Sequence, residues 1–188
     1  MPWKNGGGVT TEALVLPAQT SLDTFHLRVS MARVERDGPF SELTGVDRTL
    51  VVTHGSGFAL AREDGDSIKL EVGSEPFRFS GDERIHATLL AGPVVDLNVM
   101  TRRSHASHVA RRATVTSRRP LELSGDMLIV VVLSGEARLE GAGTELLLRA
   151  GDIVTHTSAE GHLTARSEDG AAAHLLVIDV SSSPALRR

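Results

Sequence analysis

The sequence of 188 residues contains no cysteine and no tyrosine, and aromatic residues make up only 3% of it. A chain without cysteine forms no disulfide bond, no thiolate zinc site and no cysteine nucleophile. We therefore expect it to work in a reducing compartment, the cytoplasm. One tryptophan and five phenylalanines are too few for an extended base-stacking surface, so we expect a mainly aliphatic core.

Long apolar stretches and a strong excess of one charge are also missing. No run approaches the roughly 18 apolar residues of a membrane span, and the start Met1–Gly6 lacks the apolar segment of a secretory signal. The net charge of −4 gives no general attraction for nucleic acids or anionic membranes. Six arginines and no acidic residue lie between Thr101 and Arg119, either as a solvated connector or as a strip for a polyanion. Because no aromatic residue interleaves there, we expect no nucleic-acid partner and no membrane partner.

What the chain does contain is alternation of apolar and polar residues. Phe25–Met31 alternates over its whole length, and Val95–Met100 repeats the pattern with Asp96 and Asn98 on one face. This period of two is typical of strands with one dry and one polar face. Short apolar segments separated by glycine turns follow along the chain, and no segment shows a long helical stripe. The sequence therefore predicts an all-β fold.

The chain also repeats itself. A shift of 78 positions lays Leu50–Val52 on Leu128–Val130 and Ser56-Gly57 on Ser134-Gly135. The same shift matches three further positions: Gly65 with Gly143, Leu70 with Leu148, and Gly73 with Gly151. We expect residues 50–73 and 128–151 to form equivalent strands and turns of antiparallel jelly rolls. The predicted fold is a bicupin, two tandem jelly-roll barrels forming one compact unit, with an N-terminal barrel at 1–103 and a C-terminal barrel at 104–188.

The second half resembles a cupin in Leu133–Ala137 and Leu148–Val154. Metal-binding cupins carry a His-x-His pair, which aims two imidazoles into the barrel because alternate strand residues face the same way. This sequence has no such pair; His156 and His162, with Glu160 between them, are the nearest approach. We therefore expect ordinary surface or hydrogen-bonded histidines, no bound metal and no cofactor.

Three motif blocks in the first hundred residues are more specific. They are Pro2–Thr10 with Glu12, then Asp37–Ser41 followed by Gly45–Arg48, and finally Gly92-Pro93 with Asp96–Met100 and Arg102-Arg103. In order and spacing they resemble the HutD/Ves family, bacterial bicupins linked to histidine utilisation. The resemblance covers residues 2–103 closely and the rest more loosely. It implies a small-molecule binding protein, with N-formylglutamate or a related pathway intermediate as the suggested ligand.

Two departures from the family pattern stand out. Family members carry more residues before the Pro2-Trp3 block, so we expect either a missing first strand or a native start upstream of Met1. The phenylalanine of the family's Asp-Phe-Asn is Leu97 here, a conservative change on the dry face of the strand.

The candidate site residues each have an alternative interpretation. The glycine-rich start is either a flexible tail or a wall of the site that offers a cation and an amide. Arg28 is either exposed to solvent or faces the barrel interior, where an arginine needs an anion. Asp47 and Arg48 take part either in a structural ion pair or an Asx turn, or in the ligand site; the resemblance favours Arg48 as a carboxylate fork. Asp96 and Asn98 either cap turns or face a polar ligand. The predicted ligand-binding residues are Trp3, Lys4, Asn5, Gly6, Arg28, Asp47, Arg48, Asp96 and Asn98.

Two classes of function remain open at this point. The first is a non-catalytic protein that binds a small carboxylate and modulates histidine utilisation, an arrangement that also allows a homodimer. The second is a cupin-type hydrolase or isomerase that uses a carboxylate such as Asp96 or Glu12 with a histidine. The sequence contains no Gly-x-Ser-x-Gly, no cysteine and no His-x-His, so it supplies no catalytic constellation and favours the binding protein. A partner-binding role of the arginine strip is a third, weaker hypothesis.

Overall fold

The computed structural model describes Trp3 and residues 7–141, 143–168 and 170–182. Within these ranges the chain forms seventeen β-strands and one short 3-10 helix, Ser158–Glu160, and no α-helix. The all-β prediction is confirmed. The strands fall into two compact units, one from the described residues up to Ser107 together with Ser182, and one from His108 to Ser181. The sequence placed this division after Arg103.

The first unit consists of two antiparallel sheets. Its strands, in chain order, are β1 (Gly8–Leu16), β2 (Leu27–Val34), β3 (Gly38–Pro39), β4 (Val46–His54), β5 (Phe58–Arg62), β6 (Ser67–Leu70), β7 (Phe77–Ser80), β8 (Ile85–Leu89) and β9 (Val94–Arg102). One sheet has the order β1-β2-β9-β4-β7 and the other the order β3-β8-β5-β6. Neighbours in each sheet are not always neighbours in sequence, so long-range pairing builds this unit.

The second unit has the same kind of construction. Its strands are β10 (Ala106–Val115), β11 (Leu121–Leu123), β12 (Met127–Ser134), β13 (Glu136–Gly141), β14 (Thr144–Arg149), β15 (Ile153–Thr157), β16 (Leu163–Ser167) and β17 (Ala173–Ser182). Their orders are β10-β17-β12-β15 and β11-β16-β13-β14. The pairs β4–β7, β4–β9, β5–β6 and β5–β8 of the first unit recur as β12–β15, β12–β17, β13–β14 and β13–β16.

The repeat read from the sequence is visible in these strands. Strand β16 begins at Leu163 and β8 at Ile85, which is the shift of 78 positions seen in the sequence. The glycines matched by that shift all have positive φ angles: Gly57, Gly65 and Gly73 in the first unit, and Gly135, Gly143 and Gly151 in the second. A positive φ is strained for residues other than glycine, so the repeated glycines mark repeated turns.

The apolar core of the first unit lies between its two sheets. Leu50 and Val52 of β4 pack in one buried cluster with Phe58 and Leu60 of β5. We call the face of the five-stranded sheet that carries this cluster the inner face. Burial of each such side chain contributes about 1.5–3 kcal/mol. Alternate residues of a strand share a face, so Arg48 and Val46 of β4 also belong to the inner face.

Aromatic residues are distributed unequally between the two units. All five phenylalanines lie before residue 80, in the first unit. The buried cluster of the second unit is made of valine, leucine and alanine, with Leu128, Val130 and Leu175 fully buried. The expected aliphatic core therefore describes the second unit, whereas Phe58 and Phe79 are part of the core of the first.

Candidate functional site

A band of polar side chains crosses the inner face of the first unit. It consists of Arg28, Ser30, Arg48, Asp96 and Asn98, all at most 6% exposed. Strand register brings them together: Asn98 lies between Ser30 and Leu50, and Met100 lies between Arg28 and Arg48. We call this set the polar band. Burial of five polar side chains in an interior costs free energy unless their atoms are paired.

The band is bordered by apolar side chains at both ends. The main cluster of the unit, with Val52 and Phe58, lies at one end. A smaller cluster of Phe25, Val46 and Met100 lies at the other. The polar band therefore sits in a surrounding of low dielectric constant, where charges and hydrogen bonds act more strongly than in water.

Arg28 is neutralised by the protein itself. Its Nε donates to Oε2 of Glu12 at 2.9 Å, and its Nη1 donates to Oγ of Ser30 at 3.1 Å. Glu12 lies on β1 directly opposite Ser30, next to a register shift between Glu12 and Leu14. The Arg28 side chain is 6% exposed and that of Glu12 is 49% exposed. The pair thus joins a buried cation to a carboxylate at the solvent-exposed edge strand.

Arg48 has no such acidic partner among the described residues. Its guanidinium lies 4.8 Å from the ring centre of Phe79 and 5.4 Å from that of Phe40, and Nη1 donates to the carbonyl oxygen of Ser41 at 3.0 Å. Burial lowers the pKa of Arg48 to about 10; Asp96 opposes this effect and Arg28 adds to it. Arg48 therefore remains a cation at neutral pH.

Asp96 and Asn98 present unpaired acceptors beside Arg48. Oδ1 of Asp96, Oδ1 of Asn98 and Nε of Arg48 are buried and have no hydrogen-bond partner among the described residues. Burial raises the pKa of Asp96 to about 7, although the Arg48 charge works in the opposite direction. An unpaired buried polar atom costs about 1–3 kcal/mol. The polar band therefore contains one donor atom and two acceptor atoms that have no hydrogen-bond partner among the described residues.

Asp47 is not part of this band, although it precedes Arg48 in the chain. It lies on the opposite face of β4, where its carboxylate accepts hydrogen bonds from Arg103 Nε at 2.7 Å and Arg78 Nη2 at 2.8 Å. Burial tends to raise the pKa of Asp47, but the hydrogen bonds from Arg103 and Arg78 lower it below its ordinary value. Arg103 also donates to Asp82. The contacts of Asp47 are thus those of a structural ion pair, and its predicted role in ligand binding stays a prediction.

Replacement of Asp47 by asparagine should lower the melting temperature at pH 7 by on the order of 2–4 °C, because a partly exposed ion-pair network contributes about 1 kcal/mol. A carboxyl with a lowered folded pKa stabilises the protein above its unfolded pKa and loses this effect as pH falls. The difference between wild type and Asp47→Asn in thermal melts should therefore shrink in the acid range below about pH 4. A constant difference at all pH values would contradict the ionic role.

The N-terminal motif contributes one described residue. Trp3 packs against the apolar cluster that contains Val34, and its Nε1 donates to Oγ1 of Thr10 at 2.7 Å. Thr10 is opposite Ala32, which is itself opposite Asp96. The predicted ligand-binding role of Trp3 stays a prediction. The predicted site residues Lys4, Asn5 and Gly6 lie outside the described residues.

Three contributors to the band were not among the predicted site residues. Ser30 alternates with Arg28, and Glu12 and Phe40 belong to the motif blocks, so the signals were present in the sequence. What was missing was the pairing of β1 with β2 that places Glu12 opposite Ser30, and the packing that brings Phe40 to Arg48.

The second unit contains a cavity of about 110 Å³ that includes the histidine considered as a metal ligand. His156 Nε2 is 2.8 Å from the carbonyl oxygen of Gly161. Glu160 accepts hydrogen bonds from both the backbone nitrogen and Oγ1 of Thr157. Among the described residues, no group of three or more histidine, aspartate or glutamate side chains is arranged to hold a metal ion. The absence of a bound metal stays a prediction.

Comparison with known protein families shows to which family the chain belongs. The sequence model of the HutD family matches residues 1–174. The chain belongs to the HutD family. An uncharacterized 21.2 kDa protein in the hutC 3′ region of Pseudomonas putida is 37% identical over 100 residues, 53% of this chain and 52% of that protein. Protein Ves of Citrobacter koseri is 36% identical over 115 residues, 61% of this chain and 59% of that protein. The matches thus span about half to three fifths of these HutD relatives.

Solved structures agree with the HutD assignment. A conserved protein of unknown function from Pseudomonas aeruginosa PAO1 has a TM-score of 0.86 and 27% identity, covering 97% of this chain and 93% of that one. HutD from Pseudomonas fluorescens SBW25 has a TM-score of 0.80 at 24% identity, covering 97% and 92%. A cupin 2 conserved barrel domain protein from Leptotrichia buccalis, at 10% identity, has a TM-score of 0.65 and covers 96% and 92%. The last two show the fold, which is cupin-like.

The described part of this HutD protein has no helix with the length and apolarity of a membrane span.

Proposed function

We propose that this HutD-family protein is a non-catalytic binding protein that holds a small carboxylate-bearing metabolite against the polar band. The observation that carries this proposal is the set of buried, unpartnered atoms: Arg48 Nε, Asp96 Oδ1 and Asn98 Oδ1. A ligand with a carboxylate and a hydrogen-bond donor satisfies all three. The sequence interpretation of Arg28, Arg48, Asp96 and Asn98 as ligand-binding residues is kept in this proposal.

The surroundings of Arg48 support an anionic ligand. Its guanidinium is held in place by Phe40, Phe79 and the Ser41 carbonyl group, so little side-chain entropy is lost when an anion binds. A guanidinium offers paired donors that match a carboxylate. The low-dielectric surroundings strengthen that contact.

The wider assignment rests on the family. We propose that the two units are two cupin-like barrels in tandem, and that the ligand is an intermediate of histidine utilisation such as N-formylglutamate. The recurring strand pairs of the two units support the first statement. The hutC region named for the Pseudomonas putida relative supports the second.

Thermal unfolding with and without ligand tests the proposal. N-formylglutamate at about a hundred times its dissociation constant should add about 2.7 kcal/mol of stability, a shift on the order of 5–10 °C. The corresponding diamide, which has no carboxylate, should produce no shift. An absence of any shift with small carboxylates would overturn the proposal.

Two neighbouring residues on opposite faces of β4 provide matched variants. Arg48→Met keeps most of the volume between Phe40 and Phe79 but removes the charge, so it should abolish the ligand-induced shift. Its unliganded melting temperature should stay the same or rise, because a desolvated cation is removed. Asp47→Asn should keep the shift. Equal loss of the shift in both variants would show that the polar band is not the site.

A second candidate function is a cupin-type enzyme. Asp96, with a pKa of about 7, has the proton affinity of a general base at neutral pH. The polar band contains no described histidine, and its one hydroxyl, that of Ser30, accepts a hydrogen bond from Arg28 and has no described base paired with it, so the binding protein is favoured. Conversion of a bound carboxylate by wild type but not by Asp96→Asn, followed by NMR of the small molecule, would establish the enzyme instead.

A further inference from the structure

We propose that the polar band binds one carboxylate, at Arg48, and that Glu12 occupies Arg28 and so weakens the binding of a ligand with a second carboxylate. This inference rests on the proposed function and narrows its ligand class: a carboxylate whose remainder is neutral and donates hydrogen bonds binds more tightly than a dicarboxylate such as N-formylglutamate. Glu12 is thereby a specificity-determining residue. The two arginines of the band are equally buried, but their hydrogen-bond partners differ in charge.

The partners of the two guanidinium groups differ in charge. Arg28 donates to a carboxylate, that of Glu12, at 2.9 Å and to the Ser30 hydroxyl at 3.1 Å. Arg48 donates to a neutral backbone carbonyl at 3.0 Å, and its Nε has no partner among the described residues. Arg48 is thus the cation of the band whose hydrogen-bonding capacity for an anion is still open.

The charges in the interior also favour a ligand with a single carboxylate. Among the described residues, the five-stranded sheet brings Arg28, Arg48, Glu12 and Asp96 to the band. The opposite sheet presents apolar side chains such as Leu60 and Ala87, and its Arg62, which alternates with Leu60, is paired with Glu83 at 3.1 Å. Burial raises the pKa of Asp96 to about 7, so Asp96 is mainly protonated at pH 6, and these groups then sum to one positive charge. One ligand carboxylate brings the interior to neutrality, whereas two leave an uncompensated negative charge in a low-dielectric surrounding, which is costly.

Glu12 places its own carboxylate at Arg28, where a second ligand carboxylate would otherwise bind. It lies on β1, an edge strand of its sheet, and its side chain is half exposed while that of Arg28 is buried. A second ligand carboxylate directed at Arg28 meets the carboxylate of Glu12 at that guanidinium. Like charges at contact distance repel, and because Glu12 is half exposed, solvent reduces this repulsion.

The two unpartnered acceptors define the rest of the ligand. Asn98 Oδ1 accepts hydrogen bonds, as does Asp96 Oδ1 when the proton of that carboxyl is on its other oxygen, so both match N–H or O–H groups on the neutral part of the ligand. A carboxamide or hydroxyl group in place of the second carboxylate supplies such donors. N-formylglutamine, in which the side-chain carboxylate of N-formylglutamate is an amide, is therefore the matched probe.

The test compares these two probes by calorimetric titration of the full chain at pH 6. Wild type should bind N-formylglutamine about tenfold more tightly than N-formylglutamate, which corresponds to about 1.4 kcal/mol. Glu12→Gln should bind N-formylglutamate at least tenfold more tightly than wild type does, with a change under about threefold for N-formylglutamine. Glu12→Asp retains the charge and should retain the wild-type preference.

Glu35 provides the control for net charge. It is 49% exposed, as Glu12 is, and pairs with Arg33 at 2.9 Å outside the band. Glu35→Gln should therefore leave both affinities unchanged. A wild-type preference for N-formylglutamate, or a preference that Glu12→Gln does not alter, would overturn this inference while leaving the proposed function intact. Failure of both probes to bind wild type would overturn both.

Discussion

Replacement of Asp96 by asparagine should make the unliganded protein more stable than wild type at pH 8, and the gain should be much smaller at pH 5. Burial raises the folded pKa of Asp96 to about 7, whereas its unfolded pKa is near 4. Between these values the folded protein holds a proton that the unfolded chain releases. Wild-type stability therefore falls as pH rises through this window, and asparagine, which does not titrate, removes that fall.

The expected size is about 2–3 kcal/mol between pH 5 and pH 8, since each pKa unit corresponds to about 1.4 kcal/mol. This is a relative rise in melting temperature on the order of 5–10 °C. Thermal melts of wild type and variant at both pH values measure it, and the subtraction removes the contribution of the eight histidines.

Asp47→Asn is the control for Asp96→Asn. It is the same substitution, but the stability difference from wild type should change with pH in the opposite direction. The pKa of Asp47 is lowered by Arg103 and Arg78, so this variant should lose stability relative to wild type as pH rises from the acid range. If Asp96→Asn instead melts below wild type at pH 8, Asp96 is an ionised partner of Arg48 and the interior carries a different charge.

Replacement of Gly57 by alanine should destabilise the protein by about 3–5 kcal/mol. Gly57 has a φ of +98°, and a Cβ atom there would overlap the carbonyl oxygen of Leu70 on the neighbouring strand. Backbone strain contributes about 1–3 kcal/mol and the steric overlap a similar amount. A loss of this size approaches the whole stability of a typical domain.

Gly65→Ala separates strain from overlap. Gly65 has a φ of +92°, and no heavy atom lies within 4 Å of the position that the alanine methyl group would take. Its alanine variant should therefore lose only about 1–2 kcal/mol. Urea unfolding of both variants measures the difference. Equal losses would mean that the close approach of Gly57 to Leu70 contributes nothing.

Local sequence patterns were sufficient to identify the elements of the fold. The alternation in Phe25–Met31 and Val95–Met100 reports directly which side chains share a face, because the side-chain period of a strand is two. The repeated glycines are equally local, since a positive φ restricts the residue type at that position alone. Both signals can therefore be recognised in the sequence without knowing which strands pair with one another.

The polar band depended on pairing that local patterns do not contain. Arg28, Arg48 and Asn98 come from three strands, and only the order β2-β9-β4 brings them together. Asp47 and Arg48 illustrate the limit most clearly. They are adjacent in one motif block, yet they point to opposite faces of β4, one to an exterior ion pair and one to the interior.

What the sequence determined by itself is therefore the all-β class, the internal repeat and the set of polar residues that strands carry on one face. The tertiary structure decided that the polar face of β2, β4 and β9 is buried as well as the apolar one, which of these residues meet, and that Glu12 rather than a ligand neutralises Arg28. The physical reason is that strand periodicity is a property of neighbouring residues, whereas burial and charge pairing are set by segments far apart in the chain.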